Sequence, residues 1–361
     1  KHGIKLVLGY TVEGFKEKDN GVEVLLKDNP SLQADMVVLA IGVTPDTALA
    51  KEAGLELGIK GSIVVNDRME TSVPDIYAAG DAVQVKHYVT GDDALISLAG
   101  PANKQGRIIA DNICGGDSRY LGSQGSSVIK VFDMTAATTG INETNAKKSG
   151  LDVDTVILSP MSHAGYYPGG KVMTMKVVFE KETYRLLGAQ IIGYEGVDKR
   201  IDVLATAIHA GLKATQLKDL DLAYAPPYSS AKDPVNMAGF MIDNIAKGTL
   251  KQWHLEDMDK ISKDKSVVLL DVRTVGEFNR GHMDGFRNIP VDELRERINE
   301  IEKGKPVYLI CQSGLRSYIA SRILEGNGYE TYNFSGGFRF YDAVVNDRAL
   351  IERAYACGMD Y

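Results

Sequence analysis

The chain has 361 residues, which at roughly 150 residues per domain predicts two or three domains. Its 41 Lys and Arg against 48 Asp and Glu give a net charge of -7, which argues against a nucleic-acid surface or an anionic-membrane anchor. No apolar run approaches the roughly 18 residues of a membrane span, and three cysteines without a Cys-x-x-Cys pair exclude a disulfide framework and a zinc ribbon.

The first 120 residues carry short strand patterns and one helix. Residues 4–8 and 22–26 are predicted to be strands, with the turn residues Asp19, Asn20 and Gly21 between them. Residues 36–41 form a continuous apolar run before Gly42, which is typical of a strand buried on both faces. Further strands are predicted at residues 62–65 and 76–79, and a helix at 102–114.

The middle of the chain predicts strands followed by helices, which indicates an α+β layer. Strands are predicted at residues 128–132, 153–158, 172–179 and 186–192, and helices at 144–149, 200–210 and 234–247. A glycine follows each helix, at Gly150, Gly211 and Gly248, as expected at helix ends.

Residues 249–254 are interpreted as a linker that carries the only tryptophan, Trp253. Strand and helix patterns then alternate over about 100 residues, which predicts a small α/β domain. The predicted strands are 267–271, 306–310 and 331–334, and the predicted helices are 291–301 and 317–326.

The strongest local signal is at residues 306–317, which read PVYLICQSGLRS. A buried strand ends at Cys311, and a short loop leads into a helix, so the sulfur faces backbone N–H groups at the helix start. Those dipoles and the nearby Arg316 favour a thiolate and hold an anion. Because the thiolate is the nucleophile, Cys311 is the candidate reactive group; the alternative is a buried structural cysteine at a strand end.

Residues 255–345 resemble the rhodanese (sulfurtransferase) family. The matching motifs are LLDVR at 269–273, GHMDG at 281–285, NIP at 288–290 and SGGF at 335–338. In that family the cysteine takes up a sulfane sulfur as a persulfide, which the loop amides stabilise. The resemblance therefore gives Cys311 and Arg316 catalytic roles and assigns substrate binding to Gln312, Ser313, Gly314, Leu315 and Ser317.

Loop spacing separates this family from phosphatases of related architecture. Cys311 and Arg316 enclose four residues, as in sulfurtransferase loops, whereas the phosphatases enclose five. Asp271, Arg273 and Glu277 are expected to form an ion-pair network beneath the loop, with a catalytic role as the alternative.

Residues 71–82 (TSVPDIYAAGDA) carry small residues into a Gly-Asp turn, where a backbone can approach a ligand closely. The run resembles the flavin-binding motif of the pyridine nucleotide–disulfide oxidoreductases, which implies that Asp81, beside Gly80, binds the ribityl chain of FAD. Residues 38–45, with Gly42, resemble that family's return from the NAD domain to the FAD domain. The amides of a helix opened by Leu98, Ala99 and Ala102 would then face the flavin's pyrimidine edge.

Within that family, the sequence most resembles coenzyme A-disulfide reductases fused to a rhodanese domain. The motifs are NKQGR at 103–107, SHAGYYPG at 162–169 and LAYAPPYS at 222–229. The resemblance assigns Tyr166 and Tyr224 to the disulfide site of the partner subunit in a homodimer, and Asn103 and Lys104 to substrate binding. The alternatives are tyrosines that only pack a dimer interface and a solvated Lys104. No group of residues has metal-ligand spacing, so no metal is expected.

The family's two Gly-x-Gly-x-x-Gly turns and its redox cysteine are not found in the sequence. The resemblance places them upstream of Lys1, and the non-Met start favours a fragment of a longer enzyme over a natural truncation. The predicted fold is therefore multidomain, α/β and α+β. Its predicted segments are the end of an NAD domain (1–35), part of an FAD domain (36–122), a dimerisation domain (123–248) and a rhodanese domain (249–361).

The resulting hypothesis is an FAD-dependent, NAD(P)H-using reductase of CoA disulfide or CoA persulfide, homodimeric and cytoplasmic. Its rhodanese domain would take sulfane sulfur from small donors, and the linker at Trp253 would let that domain reach the reductase site. Neither a nucleic acid nor a membrane is expected as a partner. Two alternatives stay open: an NADH oxidase of the same fold, and a sulfur carrier in which residues 1–250 are only a dimerisation scaffold.

Overall fold

The computed structural model describes the backbone of residues 3–357 and the side chains of residues 3–347. The side chain of Cys357 therefore lies outside the described residues. The chain divides into two compact units, one made of residues 1–43 and 341–361 and the other of residues 44–340.

The first unit contains a three-stranded antiparallel sheet in the order β1–β2–β3. The strand at 22–26 and its turn are confirmed, but the predicted strand at 4–8 is wrong. Lys18 pairs with Gly21, so a two-residue turn joins the strands, and the partner strand has to be the segment directly before that turn. The strands are β1 (Val12–Lys18), β2 (Gly21–Leu26) and β3 (Asn29–Ala34).

The apolar run at residues 36–41 is not a strand. All its side chains except the half-buried Val37 are exposed, to 75% at Val38 and 88% at Ile41. A buried strand needs neighbouring strands for its backbone hydrogen bonds and apolar cover on both faces. The described part of the chain supplies neither for this run.

The second unit begins with short strands around one long helix. The predicted helix is confirmed and begins three residues earlier, at Ala99. The predicted strand at 76–79 is only an isolated bridge between Glu70 and Tyr77, followed by a 3₁₀ turn at Gly80–Ala82. The elements are α1 (Ala48–Glu52), β4 (Ile63–Val64), β5 (Val83–Lys86), β6 (Asp93–Ala94) and α2 (Ala99–Ile113).

A five-stranded antiparallel sheet follows, in the order β7–β8–β11–β10–β9, and its helices pack around a core that includes Phe179, Leu187, Leu204 and Ile242. All four predicted strands are confirmed. Strand β8 was missed because its sequence, MTAATTG, is small and polar and lacks apolar alternation. The elements are β7 (Ser127–Val131), β8 (Met134–Gly140), α3 (Glu143–Lys148), β9 (Val153–Leu158), β10 (Thr174–Glu180), β11 (Leu186–Gly193), α4 (Val197–His209) and α5 (Pro234–Ala246).

A second five-stranded sheet, in which every pairing is parallel, has the order β12–β16–β15–β13–β14. The strands are β12 (Gln252–Trp253), β13 (Val268–Asp271), β14 (Arg287–Asn288), β15 (Val307–Ile310) and β16 (Thr331–Phe334). The helices are α6 (Met258–Ile261), α7 (Val275–Arg280), α8 (Leu315–Glu325) and α9 (Gly337–Cys357).

The helix predicted at residues 291–301 is wrong. The segment is a series of turns that ends in a 3₁₀ turn at Ile298–Glu300. The Val291 N–H donates to Val272 O and holds the segment to the end of β13, and tight turns then bury Leu294 and Ile301. Core packing thus determines the backbone conformation of this segment, and the helical spacing of its apolar residues does not.

Trp253 does not lie in a linker. It belongs to β12, is 2% exposed, and packs its ring against Phe286 and Phe334. The same edge is joined to β9, because Ile157 N donates to Ser335 Oγ at 3.0 Å and Gln252 Nε2 donates to the main chain of β9 at 3.2 Å. A flexible tether at this point is therefore ruled out.

Candidate functional site

The Cys311 loop joins β15 to α8, and the sulfur lies inside it. Cys311 is 1% exposed, and its Sγ accepts hydrogen bonds from Gly314 N at 3.1 Å and from Ser317 Oγ at 3.2 Å. Gly314 precedes α8 with φ of 100°, a left-handed conformation that favours glycine. Donors aimed at sulfur stabilise a negative charge there, so the loop suits a thiolate or a persulfide anion.

The SGGF motif supports this loop from behind. Phe338 N donates to Cys311 O at 2.8 Å, and Arg339 N donates to Gln312 O at 3.2 Å. A Cβ on Gly337 would lie 2.7 Å from the Ser313 nitrogen, so only glycine allows this close approach. The two motifs, distant in sequence, therefore form one structure.

Arg316 pairs with Glu277 through two hydrogen bonds of 2.7 Å. Glu277 also accepts from the Thr274 backbone and hydroxyl, both at 2.9 Å. Arg316 is the largest cause that lowers the pKa of Glu277 to about 2. Glu277 in turn raises the pKa of Arg316, with a smaller contribution from Cys311, so a positive charge is held next to the loop.

A second ion pair lies beneath the loop, as expected from sequence. Arg273 and Asp271 are 1% and 0% exposed, and Arg273 Nη2 lies 2.7 Å from Asp271 Oδ2. Arg273 also donates to Gly281 O at 2.8 Å and lies over the Phe338 ring at 3.8 Å. This pair thus connects the end of β13 to the segments that surround the Cys311 loop.

The structure brings Tyr166 and Tyr224 together. Their hydroxyl oxygens lie 3.0 Å apart, although the residues are 58 positions apart in sequence. Both side chains are exposed, to 77% and 45%. The hydrogen bond between the two hydroxyls raises the pKa of Tyr224 above its usual value.

Arg200, which sequence reasoning missed as a site residue, holds the two tyrosine segments together. It is 1% exposed and pairs with the buried Asp233 at 3.0 Å. Its Nη2 also donates to Ser162 O at 3.0 Å and Tyr228 O at 3.3 Å, one acceptor in each motif. The signal in the sequence was an arginine on the apolar face of a helix, four positions before Leu204.

The Gly-Asp turn and the start of α2 are tied to each other. Gly80 N donates at 2.8 Å to the side chain of Gln105, a buried residue of α2 that the sequence analysis did not single out. Asp81 is exposed, and no hydrogen bond or ion pair among the described residues occupies its carboxylate. Leu98 provides no side-chain cap for α2, so the first amides, which begin at Ala99, stay available.

The remaining predicted residues are distributed over both units. Gly42 is exposed and belongs to the first unit, directly after the run described above. Ala102 is half-buried in the first turn of α2 and donates its N–H to Leu98 O at 3.2 Å. Asn103 donates to Ala99 O at 2.9 Å, and Lys104 lines a cavity of about 600 Å³.

Among the described residues, no group of three or more His, Cys, Asp or Glu side chains is placed to hold a metal ion. None of the described helices is both long and apolar enough to cross a membrane.

We expect Glu277→Gln to lower the free energy of unfolding by about 1–2 kcal/mol at pH 7, after allowance for partial exposure of the pair. The native pKa of Glu277 is depressed from 4.5 to about 2. The stabilisation is therefore present above pH 4.5 and is lost as the pH falls through about 2. Urea unfolding followed by Trp253 fluorescence at pH 7 and pH 3 measures the loss of stability. The control is Glu300→Gln, which removes a carboxylate from an exposed ion pair. An equal loss at both pH values would contradict the assignment.

We expect Arg200→Ala to cost about 3–5 kcal/mol, because it leaves the Asp233 carboxylate buried without its partner. Lys199→Ala, at the neighbouring and more exposed position, is the matched control and is expected to change stability little. Thermal and urea unfolding of both variants provide the measurement. Similar losses in the two variants would show that Arg200 does not hold the tyrosine segments.

Three segments of the chain match known protein families. The family described as pyridine nucleotide-disulphide oxidoreductase matches residues 1–106, and its dimerisation domain matches residues 126–234. The rhodanese-like domain matches residues 254–343. The two oxidoreductase matches together span more than half of the chain.

Individual relatives are longer than this chain. It is 38% identical over 235 residues to the NAD(P)H sulfur oxidoreductase (CoA-dependent) of Pyrococcus abyssi, which covers 65% of this chain and 52% of that protein. The structure of reduced Bacillus anthracis CoADR-RHD has a TM-score of 0.90 and 46% identity, over 94% of this chain and 60% of that one. The structure of a NAD-dependent persulfide reductase from A. fulgidus has a TM-score of 0.82 and 41% sequence identity. The match covers 92% of this chain and 61% of that one.

The chain thus spans about half the length of the curated relative and three fifths of the two solved chains. The chain has a mixed α/β and α+β, multidomain fold. The chain belongs to the pyridine nucleotide-disulphide oxidoreductase family and carries a rhodanese-like domain.

Proposed function

We propose that the enzyme containing this chain is an FAD-dependent NAD(P)H reductase of CoA disulfide or CoA persulfide, in which Cys311 carries sulfane sulfur. The observation that carries the sulfur-transfer part is the pair of hydrogen bonds from Gly314 N and Ser317 Oγ to Cys311 Sγ. The names of the relatives from Pyrococcus abyssi and Bacillus anthracis support CoA as the substrate moiety.

The Cys311 loop has the chemistry that a sulfur carrier needs. The backbone N–H groups of residues 312–316, with the charge of Arg316, would stabilise a persulfide anion on Cys311. Gln312, Ser313, Gly314, Leu315 and Ser317 would contact the sulfur donor or acceptor. A fixed loop of donors needs no reorganisation when the charge arrives, which favours transfer.

The residues near Gly80 fit a flavin. An exposed, unpaired carboxylate at Asp81 would accept hydrogen bonds from the ribityl hydroxyls, and the uncapped amides of α2 would face an electron-rich ring edge. Leu98, Ala99 and Ala102, at the start of α2, complete the proposed flavin-binding set in this unit. Bound FAD supplies two-electron transfer between a nicotinamide and a disulfide.

The tyrosine pair would serve the disulfide site of the partner subunit in a homodimer. One hydroxyl of the pair donates to the other, and the remaining O–H is free to donate to a leaving thiolate or to CoA. Because its pKa is raised, Tyr224 stays protonated, and its phenol suits a hydrogen bond to the leaving thiolate better than transfer of its proton. We assign Asn103 and Lys104 to the CoA moiety, with Lys104 paired to a phosphate.

The wider organisation follows from the same proposal. Residues 1–35, 36–122, 123–248 and 249–361 would be the NAD-domain end, FAD-domain part, dimerisation domain and rhodanese domain. Small sulfane-sulfur donors would load Cys311. A reducing compartment such as the cytoplasm would keep Cys311 and Cys114 as free thiols.

We expect Cys311→Ser to abolish sulfur transfer from thiosulfate while leaving flavin reduction by NADH unchanged, because only the rhodanese domain loses its nucleophile. The matched control is Cys114→Ser, an exposed free cysteine at the end of α2, which should retain both activities. A cyanide acceptor assay and stopped-flow flavin absorbance measure the two steps. Equal loss of both activities in Cys311→Ser would contradict separate roles.

We expect Asp81→Ala to weaken FAD retention about tenfold or more, because a carboxylate that accepts hydrogen bonds from hydroxyls is removed. Flavin absorbance after gel filtration is the measurement, and Asp92→Ala, another exposed carboxylate, is the control. Unchanged flavin content would remove Asp81 from the site.

Two further measurements test the alternative functions. Wild-type protein without flavin would support the scaffold alternative. Product analysis with CoA disulfide and with oxygen separates a reductase from an NADH oxidase.

A further inference from the structure

One residue supplies the positive charge of the Cys311 loop. Residues 312–315 are Gln, Ser, Gly and Leu, which are all uncharged, so Arg316 is the cation that the loop itself contributes. Glu277 is the largest cause that raises the pKa of Arg316, and a charge on Cys311 adds to its effect, which places Arg316 within electrostatic reach of the sulfur. The charge that an approaching anion meets at the loop therefore depends on what is paired with Arg316.

Glu277 cancels the charge of Arg316. The two Nη atoms of Arg316 donate to different oxygens of the carboxylate, each at 2.7 Å, which is the bidentate geometry of a strong pair. Thr274 N and Thr274 Oγ1 donate to the same carboxylate at 2.9 Å and hold it in this orientation. Arg316 lowers the pKa of Glu277 to about 2, so the carboxylate is ionised at neutral pH. The pair as a whole then has no net charge, and its field falls off quickly beyond the groups that it contacts.

The second guanidinium that bonds to the loop is neutralised in the same way. Arg273 Nη1 lies 3.5 Å from Gln312 Oε1, and Arg273 Nη2 pairs with Asp271 Oδ2 at 2.7 Å. Lys232 lines a cavity beside the loop, and its ammonium lies 5.8 Å from the centroid of the Phe240 ring. Among the described side chains, every charged group that hydrogen-bonds to the loop therefore has a partner of opposite charge.

The charge of the loop matters because sulfur transfer brings negative groups together. The Cys311 thiolate attacks the outer sulfur of the donor, and the S–S bond of the donor breaks. Its electron pair leaves with sulfite from thiosulfate, or with a sulfinate from an organic thiosulfonate, and Cys311 becomes a persulfide. Thiosulfate brings two negative charges and a thiosulfonate brings one, so the thiolate repels thiosulfate more strongly. A net positive charge at the loop would offset that difference, and the paired Arg316 does not supply one.

We propose that Glu277 sets the donor specificity of Cys311: by neutralising Arg316, it favours sulfane-sulfur donors with at most one negative charge at the reacting end over the thiosulfate dianion. Organic persulfides and thiosulfonates belong to the favoured class. The hydrogen-bond donors to the sulfur are Gly314 N and Ser317 Oγ, so Glu277 acts through Arg316. The inference rests on the proposed function, which makes Cys311 the sulfur acceptor, and it adds the class of donor.

The test compares two donors that deliver the same sulfane sulfur, the dianion thiosulfate and the monoanion methanethiosulfonate. Cyanide takes the sulfur from Cys311 as thiocyanate and regenerates the thiolate, and the rate with Cys311→Ser is subtracted as background. The measured quantity is kcat/KM for thiosulfate divided by kcat/KM for methanethiosulfonate, so a general loss of activity cancels. We expect Glu277→Gln to raise this ratio about threefold to tenfold at low ionic strength, because the unpaired Arg316 attracts a dianion more than a monoanion. Added salt should reduce the gain.

Three further variants separate charge from structure. Glu277→Asp keeps the negative charge and should keep the wild-type ratio. Glu277→Gln combined with Arg316→Gln removes both charges, so its ratio should return to the wild-type value although the contact is lost. Glu300→Gln, which removes a carboxylate from an exposed ion pair elsewhere, is the matched control and should leave the ratio unchanged. The assays are run well below the melting temperature of the least stable variant.

The outcomes distinguish the inference from the proposed function. Cys311-dependent transfer with the same ratio in the wild type and in Glu277→Gln would overturn the inference and leave the proposed function standing. An equal rise in Glu277→Asp would also overturn it, because the lost contact would then be responsible and the charge would not. Absence of Cys311-dependent transfer from both donors would count against the proposed function itself and remove the basis of the inference.

Discussion

Two buried guanidinium groups determine the geometry of the candidate sites. Arg200 and Arg273 are each 1% exposed, and a guanidinium carries five N–H donors that need acceptors once water is removed. Each pairs with one buried carboxylate and with main-chain oxygens from other segments. Since an uncompensated buried charge costs several kcal/mol, those segments have to converge for the chain to fold. The convergence then brings Tyr166 next to Tyr224 and surrounds the Cys311 loop.

Some of the fold and site could be predicted because the signals are local. Strand β9 was predicted with its full bounds from an apolar, β-branched run, and β16 likewise from its short run before the SGGF motif. The Cys311 loop was equally clear, since strand, cysteine, glycine and helix follow within twelve residues. There the residues that define the structure are neighbours in sequence, and tertiary packing does not alter it.

The remaining features depend on partners that a sequence pattern does not contain. The run at residues 36–41 has the composition of a buried strand, yet the described residues provide no strand beside it. Arg200 was seen only as the start of a helix, because its acceptors come from positions up to 38 residues away. In each case the deciding contact is long-range, and local periodicity cannot reveal it.

The position of Trp253 constrains how sulfur would move in the proposed function. A tether at residues 249–254 would have let the rhodanese-like domain carry Cys311 to the reductase site. Trp253 is instead a core residue of an edge strand, and the bond from Ile157 N to Ser335 Oγ ties that edge to β9. Moving the domain would break the buried hydrogen bond from Ile157 N to Ser335 Oγ, at a cost of about 1–3 kcal/mol. In the proposed function, sulfur would therefore have to reach Cys311 while this domain stays fixed against β9.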